Sequence, residues 1–193
     1  MTMKISTSLS GDWTACRFSI EPQLYGEDVK VYFPDKDSSK GSPLAEALFG
    51  LPGVRAVKLS PEAATVHRED DEDWPSFCRR AAEILRSHAA SGKPAFAPGT
   101  KSNVLPPEAL RAKVADFLEK EINPSLAGHG GGVELVDVQG STLHLRLSGG
   151  CQGCAHSRRT LRQGIERALR DLIPEIDEVI DATDHSAGSS PYA

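Results

Sequence analysis

The sequence predicts an α+β protein of two small α/β-sandwich-like domains. Short segments in which every second residue is apolar are typical of strands, and they occur in both halves of the 193-residue chain. Longer segments with apolar residues three and four positions apart are typical of helices. Residues 92–105 contain two prolines and few strongly apolar side chains, which favours a linker. We therefore expect an N-terminal domain over residues 1–92, a linker over 93–105, a C-terminal domain over 106–185 and a flexible tail over 186–193.

The N-terminal half is expected to contain two hairpins and two helices. The four predicted strands are residues 16–20, 29–33, 54–59 and 64–67. Ser42 and Pro43 form a helix-start signal, which predicts a short helix. A second helix is expected to begin at Trp74, directly after the acidic run of residues 69–73. Negative charge is favourable at a helix N-terminus, and a docking patch for another protein is the alternative interpretation of this run.

The C-terminal half is expected to form a three-stranded sheet with two helices. The predicted strands are residues 133–138, 142–147 and 176–182, and the predicted helices are residues 106–122 and 155–172. We expect Asn123 and Pro124 to stop the first helix, because the residue before a proline disfavours the helical conformation. The glycine-rich residues 128–132 are expected to be irregular. His144 alternates with the leucines of its strand, so we expect it on the solvent-exposed face.

Charge and hydropathy exclude several classes of partner. The formal net charge is −5 and no tract is rich in Lys and Arg, which argues against nucleic-acid binding. No apolar run approaches the roughly 20 residues that span a bilayer, and residues 1–5 lack the apolar core of a signal peptide. We therefore expect a cytoplasmic protein with no membrane partner. In that reducing compartment a CxxC pair is more often metal-binding or redox-active than a structural disulfide.

Cys151 and Cys154 form such a pair in the segment Ser148-Gly149-Gly150-Cys151-Gln152-Gly153-Cys154. Glycine tolerates the backbone angles of a tight turn, so both sulfurs can point to one site. A soft metal ion or an iron–sulfur cluster needs four such ligands, and this turn supplies two. A second copy of the chain is the simplest source of the other two. Cys16 and Cys78 stand alone in the sequence, and we expect them to be buried or incidental thiols rather than ligands.

The predicted helix that follows the CxxC motif favours thiolates, because a helix N-terminus lowers the pKa of a nearby thiol. Arg158, Arg159 and Arg162 fall in the first turns of this helix. Their positive charge would stabilise an anionic cluster, or they would form an ordinary solvated helix face. The sequence leaves both interpretations open.

Two other functions use a CxxC pair. A dithiol–disulfide oxidoreductase of the thioredoxin type places the pair after the first strand of a βαβ unit, with an aromatic residue before it and proline between the cysteines. The sequence pattern predicts none of these features here. In such an enzyme Cys154 would be the resolving thiol. A zinc-binding module within one chain would need two further ligands, for which His129 and His156 are the candidates.

Several coupled motifs carry a resemblance to a known family. In the C-terminal half they are Gly128-His129-Gly130-Gly131, Gly149-Gly150-Cys151-Gln152-Gly153-Cys154, Leu161-Arg162-Gln163-Gly164-Ile165-Glu166 and Pro174-Glu175-Ile176. In content, order and spacing they resemble the NifU C-terminal (Nfu) domain, over residues 106–185. Residues 3–92 resemble the Nfu N-terminal domain through Ser42-Pro43-Leu44-Ala45, Leu48-Phe49, Leu51-Pro52-Gly53-Val54 and Asp73-Trp74. The start of the chain departs from this family, because it lacks the usual asparagine- and proline-rich opening.

The resemblance implies a scaffold or carrier rather than an enzyme. It implies a homodimer that holds a [4Fe–4S] cluster between two chains, through Cys151 and Cys154 of each, and that passes the cluster to apo-proteins. An upstream assembly scaffold would supply the cluster. A [2Fe–2S] form is left open.

Overall fold

A computed structural model describes residues 3–10, 14–69, 73–128, 130–149 and 155–183, and it describes their side chains except at residues 155–163. The chain divides into two compact units, Met1–Val104 and Leu105–Ala193. Each unit combines helices with a sheet around its own hydrophobic core, which confirms the predicted α+β class. Within the described residues, none of the helices has the length and apolarity that crossing a bilayer requires.

In the residues that the structure describes, the first unit has a five-stranded antiparallel sheet, two α-helices and a short 3₁₀ helix at Asp37–Ser39. Its elements are β1 (Lys4–Leu9), β2 (Ala15–Glu21), β3 (Val31–Phe33), α1 (Pro43–Phe49), β4 (Val54–Ser60), β5 (Ala63–Arg68) and α2 (Trp74–Ser91). The strand order is β1-β2-β5-β4-β3. One core joins the inward side chains of the strands to the apolar faces of both helices, and its largest buried residues include Phe18, Leu44 and Phe77.

The strand pairing differs in part from the prediction. The hairpin of β4 and β5 is confirmed. The predicted hairpin of residues 16–20 and 29–33 is wrong, because β2 pairs with β1 and β5 while β3 pairs with β4. Strand β1 is not predicted from the sequence, since this edge strand exposes most of its side chains and therefore lacks apolar alternation.

Both helix starts in the first unit follow local capping rules. The Ser42 hydroxyl accepts a hydrogen bond from the backbone N–H of Ala45 at 3.2 Å, and Pro43 begins α1, as predicted. The Asp73 carboxylate accepts a hydrogen bond from the backbone N–H of Ser76 at 3.2 Å and caps α2. The end of the acidic run is thus a helix cap; residues 70–72 lie outside the described residues.

The segment predicted to be a linker packs against the first unit. Ala95 and Phe96 are buried in the core of the first unit. The Asn103 side chain makes hydrogen bonds with both the backbone N–H and the carbonyl of Tyr32, at 2.7 and 2.9 Å. The Phe96 ring packs against the ring of Tyr25, with centroids 5.0 Å apart. The proline and glycine content of the segment does not indicate this aromatic contact. The stretch before Leu105 therefore belongs to the first unit rather than to a flexible connection.

The second unit has a three-stranded sheet with helices packed on it. Its elements are α3 (Pro107–Phe117), a π-helical turn (Leu118–Ile122), α4 (Asn123–Ala127), β6 (Gly131–Gln139), β7 (Thr142–Gly149), α5 (Ala155–Leu172) and β8 (Glu178–Asp181). The strand order is β6-β7-β8. Strands β6 and β7 form an antiparallel hairpin, whereas β7 and β8 are parallel. The buried leucines of β7 confirm that one face of this strand belongs to the core.

Two local predictions in the second unit are wrong. Asn123 and Pro124 do not end the helical segment, because a π-helical turn precedes them and Pro124 occupies the first turn of α4, where a missing N–H is tolerated. The glycine-rich stretch is not wholly irregular either. Gly131 and Gly132 are the first residues of β6, since they pair with Gly149 and Ser148.

Candidate functional site

The CxxC motif lies between a strand and a helix. Residues 150–154 lie outside the described residues, so the ligand role of Cys151 and Cys154 stays a prediction. The described flanks define where the motif is attached: β7 ends at Gly149 and α5 begins at Ala155.

Gly149 is the point at which β7 leaves the sheet for the motif. Its φ is +61°, in the left-handed region that favours glycine. A Cβ atom at this position would overlap the carbonyl oxygen of Gly130 and lie 3.3 Å from the Cα of Gly131. The end of β7 and the start of β6 are thus in direct backbone contact, and only glycine allows both this approach and this φ.

Asn123 anchors the same region from the helical side. Its side-chain amide donates a hydrogen bond to the carbonyl of Val133 at 3.0 Å, and its side-chain oxygen accepts one from the Val133 N–H at 2.8 Å. Gly132 lies close to the Asn123 side chain: a Cβ at Gly132 would be 3.1 Å from the Ser148 hydroxyl and 3.6 Å from the Asn123 side-chain oxygen. The sequence predicts Asn123 only as a helix stop, because its hydrogen bonds to Val133 join segments that meet only in the folded unit and that no local pattern indicates.

Helix α5 begins directly after the CxxC motif, and hydrogen bonds near its C-terminal end hold it against the rest of the unit. Arg170 donates hydrogen bonds to the carbonyls of Ile176 and Asp177 at 2.9 and 3.2 Å, which ties the helix to the segment that enters β8. It also forms an ion pair with Glu166 at 2.8 Å. The partial positive charge at the start of α5 is favourable for thiolates at the preceding residues. Arg158, Arg159 and Arg162 belong to the first turns of α5, and their side chains lie outside the described part.

One feature expected to be absent, a βαβ unit whose first strand precedes the CxxC motif, is present in the fold. Strands β7 and β8 are parallel and are joined through α5, so the CxxC motif does follow the first strand of a βαβ unit. Apolar alternation cannot distinguish parallel from antiparallel pairing, which is why the sequence did not predict this. The other two thioredoxin-type features are absent from the sequence, since Gly150 precedes the first cysteine and Gln152 and Gly153 separate the pair.

The two histidines that a zinc site would need lie outside the described part: His129 as a whole and His156 with its side chain. In the described ranges no group of three or more His, Cys, Asp or Glu side chains can hold a metal ion. His144 is half-buried rather than fully exposed, and its Nε2 atom is buried without a hydrogen-bond partner in that part of the chain.

Cys16 and Cys78 are not isolated in the fold. Cys16 is buried, Cys78 is half-buried, and their sulfur atoms lie 3.3 Å apart. Because 62 positions separate the two cysteines, their spacing in the sequence does not indicate that they pair. The signal was present in the pattern: Cys16 falls on the inward face of β2, and Cys78 follows the core residue Phe77 on α2.

Two family models match the chain. The model of the NifU-like domain matches residues 114–180, and the model described as "Scaffold protein Nfu/NifU N terminal" matches residues 5–92. Together they define a class of protein in which a NifU-like domain follows an Nfu/NifU N-terminal domain.

Curated relatives agree with this class. The chain is 43% identical to "Fe/S biogenesis protein NfuA" of Acinetobacter baumannii, over 79% of its own length and 76% of the relative's. It is 28% identical to "NFU1 iron-sulfur cluster scaffold homolog, mitochondrial" of Drosophila ananassae, over 97% of its own length and 68% of the relative's. The solution structure of a NifU-like protein from Saccharomyces cerevisiae aligns with 50% of this chain and 86% of its own, at 19% identity and a TM-score of 0.43. The chain belongs to the Nfu family of iron–sulfur biogenesis proteins.

Proposed function

We propose that this chain is a carrier that binds a [4Fe–4S] cluster through Cys151 and Cys154, shares it with a second copy of the chain, and delivers it to apo-proteins. An upstream assembly scaffold supplies the cluster, which is the cargo of the protein. Membership of the Nfu family supports the general role, because relatives carry names that refer to Fe/S biogenesis and to a cluster scaffold. No turnover of a small molecule is part of this function.

The observation that carries the proposal is the backbone contact of Gly149 with Gly130. Residues 150–154 must connect this crowded strand end to the first residue of α5, so both cysteines belong to a short connection at a helix N-terminus. Helix N-termini favour negative charge and therefore favour thiolates over thiols. Thiolates are the form that binds iron.

The number of ligands supports a shared cluster. A [4Fe–4S] cluster takes four thiolates, and the CxxC motif of one chain provides two. Cys16 and Cys78 are two further thiols, but Cys16 has no exposed surface in the core of the first unit and is therefore a poor source of the missing ligands. Two CxxC motifs from two chains satisfy the cluster without further ligands.

Anaerobic reconstitution tests the ligand assignment. The apo-protein is incubated with iron and sulfide, and iron, sulfide and protein are then quantified together. We expect about two iron atoms and two sulfides per chain, because one four-iron cluster is shared by two chains. Cys151→Ser and Cys154→Ser should each lose stable loading, whereas Cys16→Ser and Cys78→Ser are matched controls that should load normally. Normal loading of either CxxC variant would refute the assignment.

Sizing tests the shared cluster separately. A ligand that binds only the dimer shifts the association equilibrium toward the dimer. The reconstituted protein should therefore elute as a dimer, and chelation of the iron should lower the dimer fraction. A loaded species that stays monomeric would contradict bridging and would favour a site within one chain.

The βαβ position of the motif favours one second candidate, a dithiol–disulfide oxidoreductase. Such an enzyme would use Cys151 and Cys154 to reduce disulfides catalytically and would remain colourless after reconstitution. Catalytic reduction of insulin by a dithiol, dependent on both cysteines, together with failure to retain iron, would favour this candidate over the carrier.

A further inference from the structure

A second pair of thiols lies in the first unit, separate from the CxxC motif. Cys16 belongs to β2 and has no exposed surface, and Cys78 belongs to α2 and is half-buried. Their sulfurs are 3.3 Å apart, whereas a disulfide bond is ~2.0 Å long, so bond formation needs an approach of little more than an ångström. Both residues sit on regular elements that pack into one core, so the two sulfurs stay close.

The two thiols have different electrostatic environments. The guanidinium of Arg68 lies over the rings of Trp74 and Phe77, 5.1 and 4.6 Å from their centroids. Both rings belong to the first turn of α2, directly before Cys78. The hydrogen bond from Cys16 and then the charge of Arg68 lower the pKa of the Cys78 thiol, against the opposing effect of its burial. The same hydrogen bond, together with burial, raises the pKa of the Cys16 thiol. Cys78 is therefore both the more exposed residue of the pair and the better thiolate.

We propose that Cys16 and Cys78 form a redox-active dithiol site, which a hydroperoxide oxidises to an intramolecular disulfide between β2 and α2. The metal alternative is less well supported, because this pair has no third metal-binding side chain among the described residues. The CxxC motif takes no part, so the inference does not depend on the proposed function.

The chemistry proceeds in two steps. The Cys78 thiolate attacks one oxygen of hydrogen peroxide, the O–O bond breaks, and the products are a sulfenic acid on Cys78 and hydroxide, which a solvent proton converts to water. The sulfur is oxidised by two electrons and the peroxide is reduced. Cys16 then attacks the Cys78 sulfur, the S–O bond breaks, and the hydroxide leaves as water with the Cys16 proton. Two thiols and one peroxide thus give one disulfide and two waters, and a dithiol reductant reverses the change.

Peptide mapping of the wild-type apo-protein tests the proposal. After hydrogen peroxide treatment and alkylation of the remaining thiols, trypsin releases Cys16 in peptide 5–17, Cys78 in peptide 69–79 and both CxxC cysteines in the single peptide 147–158. We expect peptides 5–17 and 69–79 to be recovered as a linked pair, and dithiothreitol to restore both free peptides. A CxxC disulfide stays within one peptide and cannot be mistaken for this link.

The same chain unfolded in urea shows that the oxidant dose is sufficient. If that dose oxidises the unfolded chain but leaves both peptides alkylated in the folded protein, the proposal is wrong. Two variants assign the roles. Cys16→Ser should accumulate a sulfenic acid on Cys78 that dimedone traps. Cys78→Ser should slow oxidation of Cys16 by roughly tenfold or more, because the remaining Cys16 thiol has no exposed surface. Equal oxidation rates of Cys16 with and without Cys78 would overturn the assigned order. The wild-type mapping decides the proposal even if a variant does not fold.

Discussion

Glu166 and Arg170 form an ion pair inside the second unit, one turn apart on α5, with side chains that are 1% and 7% exposed. In sequence this pair looks like an ordinary surface contact of a helix. It is buried because the guanidinium also reaches the carbonyls of Ile176 and Asp177, which places it between the helix and the entry to β8. The pair therefore holds α5, and with it the helix N-terminus at the CxxC motif, in position.

We predict that Glu166→Leu destabilises the second unit by about 3–5 kcal/mol, because it leaves the Arg170 charge buried without its carboxylate. Urea unfolding followed by circular dichroism measures the change. The double variant Glu166→Leu with Arg170→Met should be less destabilised than the single variant, since it removes the uncompensated charge as well.

An exposed pair provides the control. Lys120 and Asp116 are also four positions apart and lie 2.6 Å from each other, but both side chains are mostly exposed. Asp116→Leu should shift the urea midpoint far less than Glu166→Leu. Similar shifts in the two variants would show that burial does not set the contribution of the Glu166–Arg170 pair.

We predict that Asn123→Ala lowers both stability and cluster loading. Two hydrogen bonds to the Val133 backbone are lost, which costs about 1–2 kcal/mol, and the strand edge beside the CxxC motif loses its anchor. Ser125→Ala is the matched control on the same short helix, because the Ser125 hydroxyl donates an exposed, local hydrogen bond to the carbonyl of Ile122, at 2.7 Å. Iron per chain and the rate of iron loss to a chelator are the measurements. Loading of Asn123→Ala that equals loading of Ser125→Ala would contradict an anchoring role.

Features set by neighbouring residues could be predicted from the sequence. The Ser42 cap, the start of α2 at Trp74 and the hairpin of β4 and β5 each depend on a few adjacent positions, and the structure confirms them. Pairings between distant segments could not be predicted. Strand β2 pairs with β5, and β7 pairs in parallel with β8, through contacts that alternation of apolar residues does not encode.

In the candidate site, too, local features could be predicted from the sequence and contacts between distant segments could not. Its place between a strand and a helix follows from local pattern, whereas its supports depend on packing. Neither the close approach of Gly149 to Gly130 nor the hydrogen bonds from Asn123 to Val133 can be derived from spacing, because each joins segments that meet only in the folded unit. The role of Cys151 remains a prediction, together with that of Cys154.

We predict that oxidation of Cys16 and Cys78 stabilises the first unit. A disulfide that closes a segment of this length, with the two cysteines 62 positions apart, restricts the unfolded chain and is worth about 4 kcal/mol in the chain-entropy model. Urea unfolding of apo-protein pretreated with peroxide, in the presence and absence of dithiothreitol, measures the difference. The Cys16→Ser variant should show no such difference. An oxidised wild-type protein with an unchanged midpoint would mean that strain in the folded state offsets the gain.

We predict that residues 105–193 alone bind the cluster, because the second unit has its own core and contains the CxxC motif. The fragment should reconstitute with the same iron per chain as the full protein. Transfer of the cluster to an apo-ferredoxin should be slower if the first unit contributes to client recognition. A fragment that folds but cannot hold iron would show that the first unit supplies a ligand, and Cys16→Ser and Cys78→Ser would then identify it.

The last prediction separates two reasons why Gly149 is a glycine. Gly149 and Gly140 have nearly the same left-handed φ, +61° and +63°, so an alanine at either position incurs the same kind of backbone strain, about 1–2 kcal/mol. They differ in space: a Cβ at Gly140 meets nothing within 4 Å, whereas a Cβ at Gly149 overlaps the backbone of Gly130. We expect Gly140→Ala to lower the free energy of unfolding and to load iron normally. Gly149→Ala should cost more and should also impair loading, because the end of β7 must shift away from β6 and carry the CxxC motif with it.

Iron per chain and urea unfolding, measured on both variants side by side, test this difference. The free energy of unfolding reports the shared strain, and the iron content reports the position of the motif. If Gly149→Ala loaded as much iron as Gly140→Ala, the backbone contact with Gly130 would not position the cluster ligands, and the observation on which the carrier proposal depends would have no functional consequence. If instead both variants lost iron equally, strain anywhere in the hairpin of β6 and β7 would be sufficient, and the close approach of Gly149 to Gly130 would have no special role.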